Sequence, residues 1–236
     1  MAQSRVEATV TGLLDAVVNG SVKVGQALPA ETALAQSLDV SRLTLREAVR
    51  VLTDRGVLRP IHGRGTFVNP PGQWTDLGSM IALQAKTSSP LDIALELVEI
   101  RRMIEVGASG LAAERHSAED LDALEGILAQ YRSDHDAEDV VATVRGDLAF
   151  HDRILQASGN PFLTTVFDPL RVALLAGRTD TSTHHDVRVH AMVHHDAIVE
   201  AIRDGDVEAA RSAMSAHMDQ TAHDITTYVS AHTADS

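Results

Sequence analysis

Apolar residues recur at helical spacing from the start of the chain. Val6, Val10, Leu13, Leu14 and Val17 share one face between Arg5 and Val18, and Asn19-Gly20 supplies a stop signal. After a loop holding Gly25 and Pro29, Glu31 to Leu38 reads as a short helix with Leu34, Ala35 and Leu38 inward. Asp39-Val40 makes a tight turn. Ser41 is suited to cap a third helix running to about Arg55, and Gly56 ends it. The period then changes. Val57–Ile61 and Thr66–Asn69 are short β-like runs around His62-Gly63-Arg64-Gly65, which is hairpin chemistry. Pro60 confines the first strand to an edge.

Asn69-Pro70-Pro71-Gly72-Gln73-Trp74 punctuates the chain, and beyond it the pattern is helical throughout. Segments are expected at about 75–86, 90–115, 118–133, 137–157, 161–178, 185–204 and 207–230. Ser89-Pro90 and Asn160-Pro161 each place a cap before a proline at the first helical position. Ser117 and Asp206 are further caps, and Gly159 and Gly205 fall just past helix ends. The expected fold is mainly α: a winged helix-turn-helix of three helices and a β-hairpin, then an antiparallel bundle of six to seven helices. The expected domains are 1–69, a linker at 70–75, and an all-α domain over 76–232.

Composition narrows the function. With 44% hydrophobic residues but only 3% aromatics, the chain favours helix packing over a β-sandwich. It has no cysteine, which excludes disulfides and thiolate chemistry. No apolar run approaches the roughly 20 residues of a membrane span, and the N-terminus lacks a signal-peptide core. A cytoplasmic protein that does not contact membrane is expected. The net charge of −13 looks unsuited to nucleic acid, but its distribution is uneven. Residues 1–70 hold 8 basic and 6 acidic residues; the remainder holds 12 and 27. Arg42, Arg46, Arg50, Arg55, Arg59 and Arg64 lie within one short stretch, opposed there only by Glu47 and Asp54.

That stretch has the layout of a winged helix-turn-helix, whose second helix enters the major groove of duplex DNA. Arg42, Arg46 and Arg50 recur every four residues and form one stripe. Arginine offers a two-pronged donor to guanine or phosphate. Ser41 and Thr44 are short hydroxyl donors, while Leu45, Val49 and Leu52 face inward. The tip His62-Gly63-Arg64-Gly65 allows close backbone approach, with Arg64 reaching along the minor groove. A basic amphipathic helix alone is usually a solvated face; the ordered helix, turn, helix and Gly-Arg-Gly tip is more specific. Arg55 and Arg59 read equally well as plain surface charges.

Leu28, Pro29, Glu31, Leu34, Ala35, Val40, Ser41, Arg42, Arg46, Glu47, Ala48, Leu52, Gly56, Gly63, Gly65, Thr66 and Val68 carry a resemblance to the GntR family of bacterial regulators. The resemblance covers about residues 5–69. It implies operator DNA as partner and contacts from Glu31, Thr32 and the residues named above. Thr32 stands where the family commonly has arginine, which puts the operator preference in doubt.

In the second half, Asp147 and His151 are one helical turn apart. His195 precedes Ile198 and Ile202 on an inward stripe, and His217 follows Ala210, Ala213 and Met214. Imidazoles with one carboxylate suit zinc, nickel or another divalent ion. Taken singly, each also reads as a surface pair or a hydrogen-bonded core histidine, and His194 competes with His195 as the inward residue. His190 and His223 read as surface or rim positions. The segments LVEIRRMIEVGASGLAAERHS and HHDAIVEAIRDGDVEAARSAMSAHM are similar to the FadR-type subfamily, whose effector domain is the helical FCD domain. That resemblance implies Asp147, His151, His195 and His217 as ligands of a divalent metal such as zinc. It also implies Arg101, with Arg102 beside it, as an effector clamp, and a homodimer. A metal beside an arginine suits a small carboxylate or a hydroxy or sugar acid. Arg101 reads equally as an ion pair with Glu105. A metal-dependent hydrolase is disfavoured, because no general base or oxyanion donor accompanies the ligands.

Overall fold

The computed structural model describes residues 4–234, with the side chains of 176, 177, 179 and 229–234 left aside. It divides into two compact units, residues 1–88 and 89–236.

The first unit opens with α1 (Arg5–Val18), whose N-cap Ser4 exchanges hydrogen bonds with Glu7 in a capping box. Helices α2 (Glu31–Ser37) and α3 (Arg42–Asp54) follow, joined through Asp39 at φ +52°. Ser41 caps α3 by accepting from the Thr44 amide. Leu45, Ala48 and Leu52 turn the apolar face of α3 inward and are almost fully buried. Each leucine so buried stabilises the unit by about 1.5–3 kcal/mol relative to an exposed one. The wing pairs β1 (Leu58–Ile61) antiparallel with β2 (Gly65–Val68), in the register Leu58↔Val68 and Ile61↔Gly65. The other edge of β2 is met by residues 25–28: Leu28 N donates to Thr66 O, and Val68 N donates to Gln26 O.

The domain limits differ from expectation. Residues 70–75 are not a tether, and 76–86 does not begin the bundle. Trp74 is buried in the first unit's core, and its Nε1 donates to Asn69 O at 3.1 Å. Helix α4 (Leu77–Gln84), capped by Asp76, packs Met80 and Leu83 on that same core. Gly56 explains the fit. It sits at φ +73°, and a Cβ there would lie 2.3 Å from Gln73 O. The end of α3 and the Pro-rich segment therefore approach too closely for any side chain. Asn69 Nδ2 donates to Gly56 O, and Thr75 N to Arg55 O, completing the junction.

The second unit is a bundle of α5 (Pro90–Arg115), α6 (Ala118–Asp136), α7 (Val140–Ala157), α8 (Pro161–Thr181), α9 (His185–Arg203) and α10 (Val207–Ala234). Helix α5 packs against α7, α8, α9 and α10. Short connections return α6 onto α7, α7 onto α8 and α9 onto α10. Ser89, Ser117 and Asn160 cap their helices as expected. Helix α7 starts later than expected, because Glu138 has φ +57° and Asp139 takes the cap.

Candidate DNA-binding surface and metal centre

On α3, Arg42, Arg46 and Arg50 keep 61%, 63% and 64% of their side chains exposed, so the stripe faces solvent. Glu31 at the start of α2 accepts from both of the first two: Arg42 Nε at 3.0 Å and Arg46 Nε at 2.9 Å. The Arg46 and Arg42 hydrogen bonds hold the Glu31 carboxyl below its ordinary range. Glu31 thus braces α2 against α3 and sets the two guanidiniums side by side. Arg50 instead pairs along its own helix with Glu47 and Asp54. Thr32 is exposed, and the Ser41 and Thr44 hydroxyls bond each other at 2.8 Å. His62, Gly63, Arg64 and Gly65 form the exposed wing tip, where Gly63 at φ +72° makes the turn. The Arg64 guanidinium lies 5.7 Å from the Phe67 ring centroid. Arg55 reaches toward Asp76, 3.7 Å away.

In the bundle, α7, α9 and α10 bring His151, His195 and His217 together, with one nitrogen of each within 4.8 Å of the others. All three are buried. The expected inward choice of His195 over His194 agrees with burial, since His195 has no exposed surface and His194 is only half-buried. Phe150 stacks on the His195 ring at 4.0 Å, and Tyr131 meets it edge-on. Asp147 borders the group: its Oδ1 lies 3.5 Å from His195 Nε2 and 3.7 Å from His151 Nε2. Its other oxygen pairs with Arg178.

The donor set fits a divalent ion. Among the described residues, neither ring nitrogen of His195 has a hydrogen-bond partner, nor has His217 Nδ1. Burying such groups unpaired is costly, and a coordinated cation would satisfy them. Bonds of about 2.0–2.1 Å in a tetrahedron put neighbouring donors roughly 3.4 Å apart, close to the Asp147 spacings. Burial, followed by neighbouring positive groups, holds His195 and His217 well below the usual histidine range, which keeps them in the neutral, ligand form. His151 is oriented from behind, since its Nδ1 contacts Glu105 Oε2. Burial pushes the Glu105 carboxyl upward, but Arg101 and His151 outweigh it and hold it low.

Arg101 is almost fully buried, donates from Nε to Glu105 Oε1 at 2.7 Å, and places Nη2 3.3 Å from His151 Nε2. It lines a cavity of about 120 Å³ that also meets Asp147, Arg178, His217, Gln220 and Asp224. Arg101 thus makes the ion pair with Glu105 that the sequence allowed, and it also lines the cavity. Arg102 is not at the cavity. It points outward and binds Ser215 and Asp219 of α10, because neighbours on a helix face apart. Sequence reasoning missed Glu105 as the support of His151, and missed Arg178 and Asp224 altogether. The signal for Glu105 was its position one turn beyond Arg101; for the other two there was none.

Residues 5–68 match the model of bacterial regulatory proteins of the gntR family, and residues 96–220 match the FCD domain. The chain is similar to the galactonate operon transcriptional repressor of Escherichia coli (strain K12), with 28% identity over 216 residues, 90% of this chain and 93% of that one. It is 29% identical to the transcriptional regulator LutR of Bacillus subtilis (strain 168) over 217 residues, covering 86% and 92% of the two chains. A solved structure of Lar, described as controlling the Listeria monocytogenes agr system, superposes with a TM-score of 0.68 at 17% identity, covering 96% of this chain and 99% of that one, which shows a shared fold. A helix-turn-helix with an exposed arginine stripe, joined in one chain to an FCD domain, makes this protein a member of the GntR family, a DNA-binding transcription regulator.

Proposed function

We propose that the protein is a cytoplasmic, homodimeric repressor whose hold on operator DNA is set by a small carboxylate bound beside a divalent metal. The observation that carries this reading is the cluster of three buried imidazoles, with His195, among the described residues, hydrogen-bonded at neither ring nitrogen, beside a cavity lined by His217, Asp147 and Arg101. Asp147, His151, His195 and His217 would hold the ion, with zinc or nickel suited to the donors. The ion supplies a positive anchor for an acid. Arg101 turns from His151 toward the incoming carboxylate, with Glu105 keeping its stem in place. Relatives named as repressors support the sign of regulation, and the galactonate operon repressor supports an organic acid as effector.

On the DNA side, Arg42 and Arg46 read base edges, and Arg50, Ser41, Thr44 and the wing tip around Arg64 hold the backbone. Glu31 preorganises the two reading arginines. A dimer places two such helices on a palindromic site. The effector must bind one arrangement of the dimer better than the other to regulate anything. The test is fluorescence anisotropy of operator DNA with zinc-loaded protein, titrated with small acids. An acid should shift operator affinity at least fivefold, and the shift should vanish after chelation or in His151→Ala. Operator affinity indifferent to every acid and to chelation would overturn the reading.

A further inference from the structure

Among the arginines of α3 one apolar side chain stands in water: Leu43 is 71% exposed. The buried residues Leu45, Ala48 and Leu52 lie roughly 140–180° around the helix from it. Arg46, Glu47 and Arg50 lie within about 60° of it on the exposed side. Leu43 therefore occupies the crest of that face, as far from the core as α3 allows. Its long neighbours are drawn elsewhere. Glu31 pairs Arg42 and Arg46 toward α2, and Glu47 and Asp54 hold Arg50 along its own helix. A single exposed leucine is ordinary on a protein surface. In the first turn of a recognition helix, however, it stands where side chains meet base edges.

We propose that Leu43 is a specificity-determining residue for operator recognition, selecting a thymine by its 5-methyl group. This rests on the reading of α3 as the helix that enters the major groove. Leucine carries neither donor nor acceptor, and the thymine methyl is the one apolar group that a base pair shows in the major groove. Contact between them removes apolar surface of both from water. A cytosine at the same place brings an amino donor instead, which loses its water partners and gains none from leucine. The place is bounded as well. Arg42 and Arg46 stand four residues apart, about 6 Å along the axis, which is less than two base-pair steps of about 3.4 Å. Leu43 lies between them in the chain, so its thymine falls within about two base pairs of the positions that those arginines read.

Selection from a random duplex library with the full chain supplies the probe. Each recurrent thymine is then replaced in turn by deoxyuridine, which lacks only the methyl group, and affinity is measured for the wild type and for Leu43→Ala. At a thymine beside the arginine-read positions, the wild type should lose about threefold or more in affinity. In Leu43→Ala, whose side chain falls short of the base, the same replacement should leave affinity unchanged. Folding is not at issue in that variant, because Leu43 is exposed and alanine is the stronger helix former. Selected duplexes with no recurrent thymine, a flat deoxyuridine scan, or an undiminished loss in Leu43→Ala would each overturn the proposal. Arg46→Ala tells the two failures apart. If it and Leu43→Ala both bind as the wild type does, α3 is not the reading helix; if it weakens binding while the scan is flat, only the assignment of Leu43 falls.

Discussion

Arg42, Arg46 and Arg50 look equivalent in the sequence, yet they differ in what already holds them. Arg46 and Arg42 share Glu31, and Arg50 is tied to its own helix by Glu47 and Asp54. The difference predicts two kinds of loss. Arg46→Ala should weaken operator binding about 10- to 100-fold and narrow the gap between operator and random DNA. Arg50→Ala should weaken both alike and reduce the slope of log affinity against log salt by about one. Titrations at several salt concentrations distinguish them; identical behaviour of the two variants would refute the assignment. A second residue-scale prediction concerns His135. Its Nδ1 accepts from Arg188 Nε at 3.1 Å, and its ring lies 4.8 Å from that of His185. Burial, then Arg188 and His185, lower its pKa, while Asp136 and Glu138 pull the other way. A lowered histidine contributes stability that is present above about pH 6.5 and is lost as pH falls through its folded value. Urea midpoints from pH 8 to 5.5 should therefore fall less steeply in His135→Gln than in the wild type. Parallel curves would show that His135 contributes nothing.

Elements were more legible in the sequence than their partners. Caps at Ser41, Ser89, Ser117 and Asn160 and stops at Gly56, Gly159 and Gly205 are local chemistry, so the helices could be read directly. The inward placement of His151, His195 and His217 was legible for a related reason, since each sits on an apolar stripe of its own helix; their reading as ligands came from the resemblance. Trp74 and α4 were misplaced because Pro70-Pro71-Gly72 has the local character of a linker, and only tertiary packing shows that it is pinned. Arg178 and Asp224 were invisible because a charged residue on a helix is ordinarily solvated, and nothing local marks a buried one. Two glycines make the contrast between local and tertiary cause measurable. At Gly110 in α5, the atoms nearest a Cβ belong to the Arg211 side chain, with Nε at 2.6 Å and Cγ at 3.0 Å, so Arg211 must shift and the helix-propensity gain of about 1 kcal/mol in Gly110→Ala should be largely offset. At Gly56 it would meet Gln73 backbone in a left-handed conformation, so Gly56→Ala should destabilise by about 1–3 kcal/mol or more. Thermal melts of the two variants check both; equal melting temperatures would contradict the account.

At the scale of the whole molecule, charge is divided between the two parts of the chain. Residues 1–70 are weakly basic and the rest strongly acidic, so the second unit repels DNA and only the first is left to hold it. Metal removal should act on the second unit. A ligand at a thousandfold excess over its dissociation constant stabilises by about 4 kcal/mol, which for a chain of this size is a shift of about 8–16 °C. Chelation should lower the melting temperature by that order in the wild type and leave His217→Ala unmoved; a wild type indifferent to chelator would count against the centre. The pinning of Trp74 and α4 also bears on modular engineering. With α4 capped at Ala85 and α5 capped at Ser89, the interchangeable cassette ends near Ser88. A hybrid that moves this reading head onto a foreign second domain should be spliced there, since a cut at Pro70 would leave the head without Trp74.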